Sequence, residues 1–350
     1  MKQVCYFERL LNAELFEQLI TQDGDIALSR IDRDMPDSEI DAVLSQIHGY
    51  HTRGNQSLIP KRYIIDKNFL ERCPNLLAVS TGGAGYDSII VEDCTNAGIV
   101  VTNQAGLNAE AVAEHALGMM LCLTKKIAQV NAAMRRDPNL ERYDFRNNDM
   151  YGKTLGIVGL GQIGALVAKI CKTAFGMTVI AVHPRITPEQ AAERNARLVN
   201  FPEILEQSDF VLVSCGLNNE TRGMFSDNEF ARMKNSAYFI TIGRGGIHDE
   251  DALARALVAG EVAGAGLDVW MQEPPPHDHP LLEFENVLAS PHTAAMTHES
   301  AQKAMTGAAA QWRQTMNGEF PPRCVNPEVW PHYAKRFEAI MGHSPTGGPT

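Results

Sequence analysis

No apolar run in this 350-residue sequence approaches the roughly 20 residues a membrane-spanning helix needs, so no helical span is expected. Basic charge is scarce too. Against 42 Asp and Glu stand only 31 Lys and Arg, and the formal charge of -11 would repel a phosphate backbone or an anionic lipid surface. Nucleic acid and membrane are therefore not expected partners. Paired cysteine motifs are missing: the seven cysteines, at 5, 73, 94, 122, 171, 215 and 324, are odd in number and never form C-x-x-C. That spacing suggests neither a disulfide framework nor a zinc site. In the opening MKQVCYFERL, Glu8 and Arg9 stand where a secretory signal needs an apolar core, so a reduced, cytoplasmic protein is expected. Internal repeats are absent, and SPTGGPT at 344–350 has the composition of a frayed end.

What the chain has is apolar content for two cores, 44% hydrophobic residues over a length exceeding one typical domain. Short β-rich runs alternate with helical patterns from the start: KQVCYF at 2–7, DIALSRI at 25–31, LLAVS at 76–80 and GIVVT at 98–102. Such alternation implies a parallel sheet covered by helices. A long helix follows, with Val112, Ala116, Met119, Met120 and Leu123 on one face and Lys125 and Lys126 at its end. TLGIVGLG, TVIAV, DFVLVS, AYFITIG, AGAGLDV and NVLAS then form a second alternating set, a six-strand doubly wound pattern. Ser226 with Glu229 reads as a capping box, and Gly260 as a helix stop. After Pro291, the run ESAQKAMTGAAAQWRQTMNG is helical and is expected to pack back on the first domain, making that domain discontinuous.

Four constellations carry chemistry. VGLGQIG places Gly159, Gly161 and Gly164 between a strand and a helix, where they allow a tight turn, backbone approach to a pyrophosphate, and close helix packing. The next strand, VIAVHPR, ends in His183, Pro184 and Arg185. No acid stands at that tip, where one would accept hydrogen bonds from a ribose diol and repel a 2′-phosphate. NAD and NADP both stay open as cofactors, with Arg185 able to fork onto phosphate oxygens. TIGRGGIHDEDAL sets Arg244 between glycines at a strand end, suited to gripping a carboxylate. GLDVWMQEPPP and LASPHTAAM bring Asp268, Glu273 and His292 to neighbouring strand ends, where an acid and an imidazole can meet. His277 and His279 lack a third ligand at zinc-like spacing, so HDHP reads as loop and no metal is expected.

With these motifs in order, and with TGGAGYDSI at 81–89, the chain resembles the D-isomer-specific 2-hydroxyacid dehydrogenase family over about residues 45–330. The resemblance implies an α/β protein of two doubly wound parallel-sheet domains, a Rossmann nucleotide domain inserted into a flavodoxin-like substrate domain. Its expected bounds are 1–103 with 296–335 for the substrate domain, 104–295 for the nucleotide domain, and 336–350 as a flexible tail. It implies Arg244 as the substrate arginine, Glu273 as the dyad acid and His292 as the acid/base. Gly83, Ala84 and Gly85 would offer amides to a carboxylate, with Tyr86 shaping the pocket. Gln162 and Ile163 would lie at the pyrophosphate, Ser214, Cys215, Gly216, Thr221, Ile242 and Gly243 along the sheet edge, and Asp268 near the carboxamide. Thr241, Gly216 and the run Thr293, Ala294, Ala295 depart from the residues frequent in the family at those places, which makes the substrate less transferable.

The expected reaction is reversible hydride transfer between a nicotinamide and C2 of a small 2-oxo or D-2-hydroxy acid, with His292 kept protonated by Glu273. A nucleotide-sensing binding protein of the same fold, or a dehydrogenase for phosphite or formate, are the alternatives. The resemblance also implies a homodimer, and residues 132–153, with Tyr143, Phe145 and Tyr151 on a segment otherwise poor in apolar residues, are the expected arm.

Overall fold

The computed structural model describes residues 1–349. Its contacts divide the chain into two units, one formed by Met1–Asn108 and the residues from Met296 onward, the other by Ala109–Ala295.

The first unit holds five strands, β1 (Lys2–Phe7), β2 (Ile26–Ile31), β3 (Gly49–Thr52), β4 (Ala78–Thr81) and β5 (Val100–Thr102), in the order β2-β1-β3-β4-β5. All pairings are parallel. Four strands were expected here, and β3 is the addition. GYHT shows no apolar alternation, yet all four residues are buried between β1 and β4. Gly49 is required there because a Cβ would lie 2.4 Å from the Trp312 ring. That indole in turn donates to His51 Nδ1 at 3.2 Å, and burial pushes the His51 imidazole down to about 3, so the ring is neutral.

Trp312 belongs to the helix His298–Met316, whose Ala304, Met305, Ala308 and Met316 share one core with Phe16, Ile20 and Val4. The unit is thus completed by residues nearly 300 positions downstream of its first strand. The expected tail differs from what is observed. Position 336 lies inside the helix Trp330–Met341, which buries Trp330, Tyr333 and Phe337, an apolar face that the Gly- and Pro-rich end of the chain obscures in composition. Beyond the helix, the Thr346 and Gly347 amides donate to the Gly318 carbonyl, and Trp330 Nε1 donates to the Gly347 carbonyl at 3.1 Å.

The second unit opens with the helix Ala109–Thr124, which buries all five of the residues expected on its inner face. Its sheet contains β6 (Thr154–Val158), β7 (Thr178–Val182), β8 (Arg197–Leu198), β9 (Phe210–Val213), β10 (Tyr238–Thr241), β11 (Gly264–Leu267) and β12 (Val287–Ala289). Their order is β12-β11-β10-β9-β6-β7-β8, all parallel, with the direction of winding reversing between β6 and β9. The two-residue β8 is one strand more than the six expected. It is too short to carry a periodic signal and exists because β7 offers it an edge. The Ser226 and Glu229 capping box forms, and Gly260 ends its helix at φ +69°.

Candidate active site

In doubly wound sheets, ligands bind beyond the carboxyl ends of the strands at the reversal point. The loops after β6, β7, β9, β10, β11 and β12 hold most of the candidate residues at that edge. The turn after β6 needs its three glycines for three different reasons. Gly159 has φ +101°, and a Cβ on it would lie 2.6 Å from the Cys215 amide nitrogen. Gly161 faces open space, with nothing within 4 Å of a Cβ. Gly164 lets the helix Gln162–Phe175 close on the turn, since a Cβ there would come within 2.5 Å of the Gly159 carbonyl. No side chain caps that helix, so its first amides, from Gln162 and Ile163 onward, lack a side-chain acceptor. An open glycine and an uncapped helix start fit the pyrophosphate of a dinucleotide.

The loop after β9 braces this turn. Ser214 Oγ donates to the Gly159 carbonyl at 2.7 Å, and Thr221 Oγ1 donates to the Gly216 carbonyl at 2.8 Å. Burial pushes the Cys215 thiol up to about 11, which makes it a neutral packing group at pH 7.

β10 leads into Ile242, buried in the core, then Gly243 and Arg244. A Cβ at Gly243 would lie 2.6 Å from the Cys215 carbonyl, and one at Gly245 would lie 1.8 Å from the Trp270 carbonyl. The backbone on both sides of Arg244 is therefore clamped by neighbouring loops. Its Nη1 donates to the Gly243 carbonyl at 2.8 Å.

Beyond β11, the Asp268 carboxylate is only 1% exposed. It accepts from Ser290 Oγ at 2.6 Å, the Thr293 amide at 2.8 Å and the Ala294 amide at 3.1 Å. Expected near a carboxamide, this side chain ties down the loop that carries His292. The His292 amide donates to the Asp268 carbonyl at 2.7 Å, and the residue takes φ +56°, a conformation unusual for a side chain with a Cβ. Its Nδ1 lies 2.7 Å from Glu273 Oε2, while Glu273 Oε1 accepts from the Trp270 amide at 3.2 Å. Because a carboxylate can only accept, the proton at this contact belongs to Nδ1, and Nε2 is the ring atom left for a reactant. The imidazole is 28% exposed and the Glu273 side chain 4%.

At the tip of β7, the Arg185 amide donates to His183 Nδ1 at 3.2 Å. Burial, aided by Arg185 and Arg194, holds the His183 imidazole below its ordinary range. Gly83, Ala84, Gly85 and Tyr86 lie in the other unit, after β4. The Gly83 and Ala84 carbonyls accept from the Gln104 amide and Asn103 Nδ2, both at 2.8 Å. The amides of Gly83, Ala84 and Gly85 donate to no other described residue, so they are available to an anion.

A family model described as "D-isomer specific 2-hydroxyacid dehydrogenase, NAD binding domain" matches residues 117–294. Glyoxylate/hydroxypyruvate reductase B of Pectobacterium carotovorum is 34% identical over 303 residues, covering 86% of this chain and 94% of its own. The chain belongs to the D-isomer specific 2-hydroxyacid dehydrogenase family. D-3-phosphoglycerate dehydrogenase of Archaeoglobus fulgidus is 39% identical, but the match covers 67% of this chain and 44% of that protein. Among solved structures, a glyoxylate reductase from Paecilomyes thermophila superposes with a TM-score of 0.81 at 25% identity, covering 93% of this chain and 99% of its own. As a member of the family the protein is an oxidoreductase acting on CH-OH groups, with an NAD(P)-binding domain.

Several residues at this edge of the family fold escaped sequence reasoning. His115, on the helix Ala109–Thr124, places Nε2 3.0 Å from Ser290 Oγ and 3.6 Å from Asp268 Oδ1. His279, read from the sequence as an ordinary loop residue, lies 3.0 Å from Glu250 Oε2, and Glu250 Oε1 accepts from the Met271 amide at 2.7 Å. Arg194 donates to the Leu160 carbonyl inside the glycine turn at 2.6 Å. No local pattern marks these three, since each partner is distant in sequence.

Proposed function

We propose that the protein interconverts a small D-2-hydroxy acid and its 2-oxo acid, with glyoxylate and hydroxypyruvate as the preferred 2-oxo substrates. The 2.7 Å contact of His292 Nδ1 with Glu273 Oε2 carries this reading, because it presents Nε2 as a proton donor beside the arginine-bearing strand end. The near full-length match to the Pectobacterium reductase supports that substrate class over the phosphoglycerate relatives, which are matched over about half their length.

Gly159, Gly161 and the uncapped start of the helix Gln162–Phe175 would hold the dinucleotide, whose nicotinamide when bound would supply or take the hydride exchanged with the substrate C2 carbon. Arg244 forks onto the substrate carboxylate and polarises the carbonyl oxygen. His292 Nε2 gives its proton to that oxygen during reduction and takes it back during oxidation, while Glu273 accepts the Nδ1–H and balances the imidazolium charge. The amides of Gly83, Ala84 and Gly85 serve as carboxylate donors, with Tyr86 as a pocket residue. Residues 109–295 act as the cofactor domain, and 1–108 with the residues from 296 onward as the substrate domain. No acid stands at the β7 tip, so NADP(H) is accepted as well as NAD(H), with Arg185 on the 2′-phosphate.

The assembly we propose is a homodimer formed through residues 132–153. Tyr143 and Tyr151 there are 70% and 75% exposed, and Phe145 is half-buried. A cytoplasmic setting is consistent with the free state of all seven cysteines. The test is a steady-state panel of glyoxylate, hydroxypyruvate, pyruvate and longer 2-oxo acids with NADH and NADPH. Preference for glyoxylate and hydroxypyruvate is expected, and turnover of none of these acids would overturn the reading.

A further inference from the structure

Arg194 belongs to none of the motifs that carry the proposed chemistry, yet its position is built with care. The helix Pro188–Glu193 ends at this residue, whose amide donates to the Gln190 and Ala191 carbonyls. Asn195 follows at φ +65° and turns the chain so that the Ala196 amide reaches back to the Ala191 carbonyl at 3.0 Å. Ala191 and Ala196 are both buried in the core, which pins this turn. From that anchor the side chain runs to the glycine turn and places Nη1 2.6 Å from the Leu160 carbonyl. In the sheet, β7 lies between β6, which leads into Leu160, and β8, which follows Arg194. The guanidinium thus spans from the β8 side of β7 to the turn after β6, within electrostatic reach of His183 at the β7 tip. His183 registers both arginines as neighbouring charges. Among the described residues, no carboxylate forms an ion pair with Arg185 or Arg194.

We propose that Arg194 is a specificity-determining residue which, together with Arg185, binds the 2′-phosphate of NADP(H). Only one of five guanidinium N–H groups is committed to Leu160, so others remain for phosphate oxygens. A guanidinium already braced on main chain loses little freedom on binding, and this favours a tight charge-assisted contact. Bracing on Leu160 also joins the phosphate site to the turn that receives the pyrophosphate. The inference rests on the proposed acceptance of NADP(H) and adds the residue that the strand-tip motif omits.

The experiment measures Kd for NADPH and NADH by quenching of intrinsic fluorescence, with 2′-AMP and 5′-AMP as competing probes, in the parent protein and in Arg194→Met, Arg194→Lys and Arg185→Ala. The expected result is a weakening of NADPH and 2′-AMP by about tenfold or more in Arg194→Met, with NADH and 5′-AMP changed less than about threefold and partial recovery in Arg194→Lys. A parallel loss for both cofactors in Arg194→Met would show a mere strut for the glycine turn and overturn the inference. So would an NADPH defect confined to Arg185→Ala, which leaves the NADP(H) reading standing. A parent protein that binds NADH and not NADPH overturns both.

Discussion

His292 and Glu273 meet at 2.7 Å through Nδ1 and Oε2, and the second carboxylate oxygen is held by the Trp270 amide at 3.2 Å. Both oxygens of the acid are thus directed, one to the ring and one to the backbone. Replacing His292 by Asn keeps a polar side chain and removes the proposed proton donor. It should lower kcat by about 10²- to 10⁴-fold with NADH affinity unchanged. Glu273→Gln should reduce kcat less, because the amide can still accept from Nδ1–H but brings no negative charge. Wild-type turnover in His292→Asn would assign proton transfer to another group.

Gly243 and Gly245 hold the backbone around Arg244 so closely that a Cβ at Gly245 would lie 1.8 Å from the Trp270 carbonyl. The guanidinium is set by a rigid base. Arg244→Lys retains charge and loses the planar fork, so kcat/KM should fall by about 2 kcal/mol or more in transition-state terms. Steady-state kinetics on the preferred 2-oxo acid provide the check. An unchanged kcat/KM would remove Arg244 from substrate binding.

Glu250 bridges His279 and the Met271 amide, at 3.0 and 2.7 Å, and so restrains the loop on which Glu273 lies. Its side chain is 12% exposed, and removing it breaks both the His279 contact and the Met271 amide bond. Glu250→Ala should cost about 1–3 kcal/mol of stability. Because the loop also carries Glu273, the proposed dyad acid, kcat should drop while the NADH Kd holds. A variant with lower Tm and intact kcat would confine Glu250 to a structural role.

His183 is held below its ordinary value by burial first, and then by Arg185 and Arg194. A lowered value means the ring is neutral in the free protein at pH 7, and it charges only as pH falls below about 6.5. A 2′-phosphate held at the ring favours its charged form, so the ratio of NADPH to NADH affinity should rise as pH falls from 8 toward 6. Titrating both Kd values across pH 5.5–8 tests this. A ratio that does not change with pH, or that changes equally in His183→Asn, contradicts it.

Much of this protein is written in short stretches of chain. Gly159, Gly161 and Gly164 announce their turn because a left-handed φ, an open approach and a close helix contact are each needs of single residues. Val112, Ala116, Met119, Met120 and Leu123 mark the buried helix face by spacing alone. Arg244, Glu273 and His292 stood out as candidates because each follows a strand with its own motif, and the family resemblance supplied their proposed roles.

Other features depend on partners that only the folded chain brings together. GYHT became a central strand because β1 and β4 flank it and Trp312, some 260 positions later, covers Gly49 and donates to His51. Helix Trp330–Met341 is held by an aromatic face packed on the first core, which the composition of the chain end conceals. Asp268 was visible as a strand-end acid, but its binding of the Thr293 and Ala294 amides emerges only when β11 and β12 lie side by side. The reach of Arg194 to Leu160 likewise requires β6, β7 and β8 to be in register. Sequence by itself determined the conformations and periodicities that neighbouring residues impose on one another, whereas the tertiary structure decided every contact whose energy depends on two segments arriving at the same sheet edge.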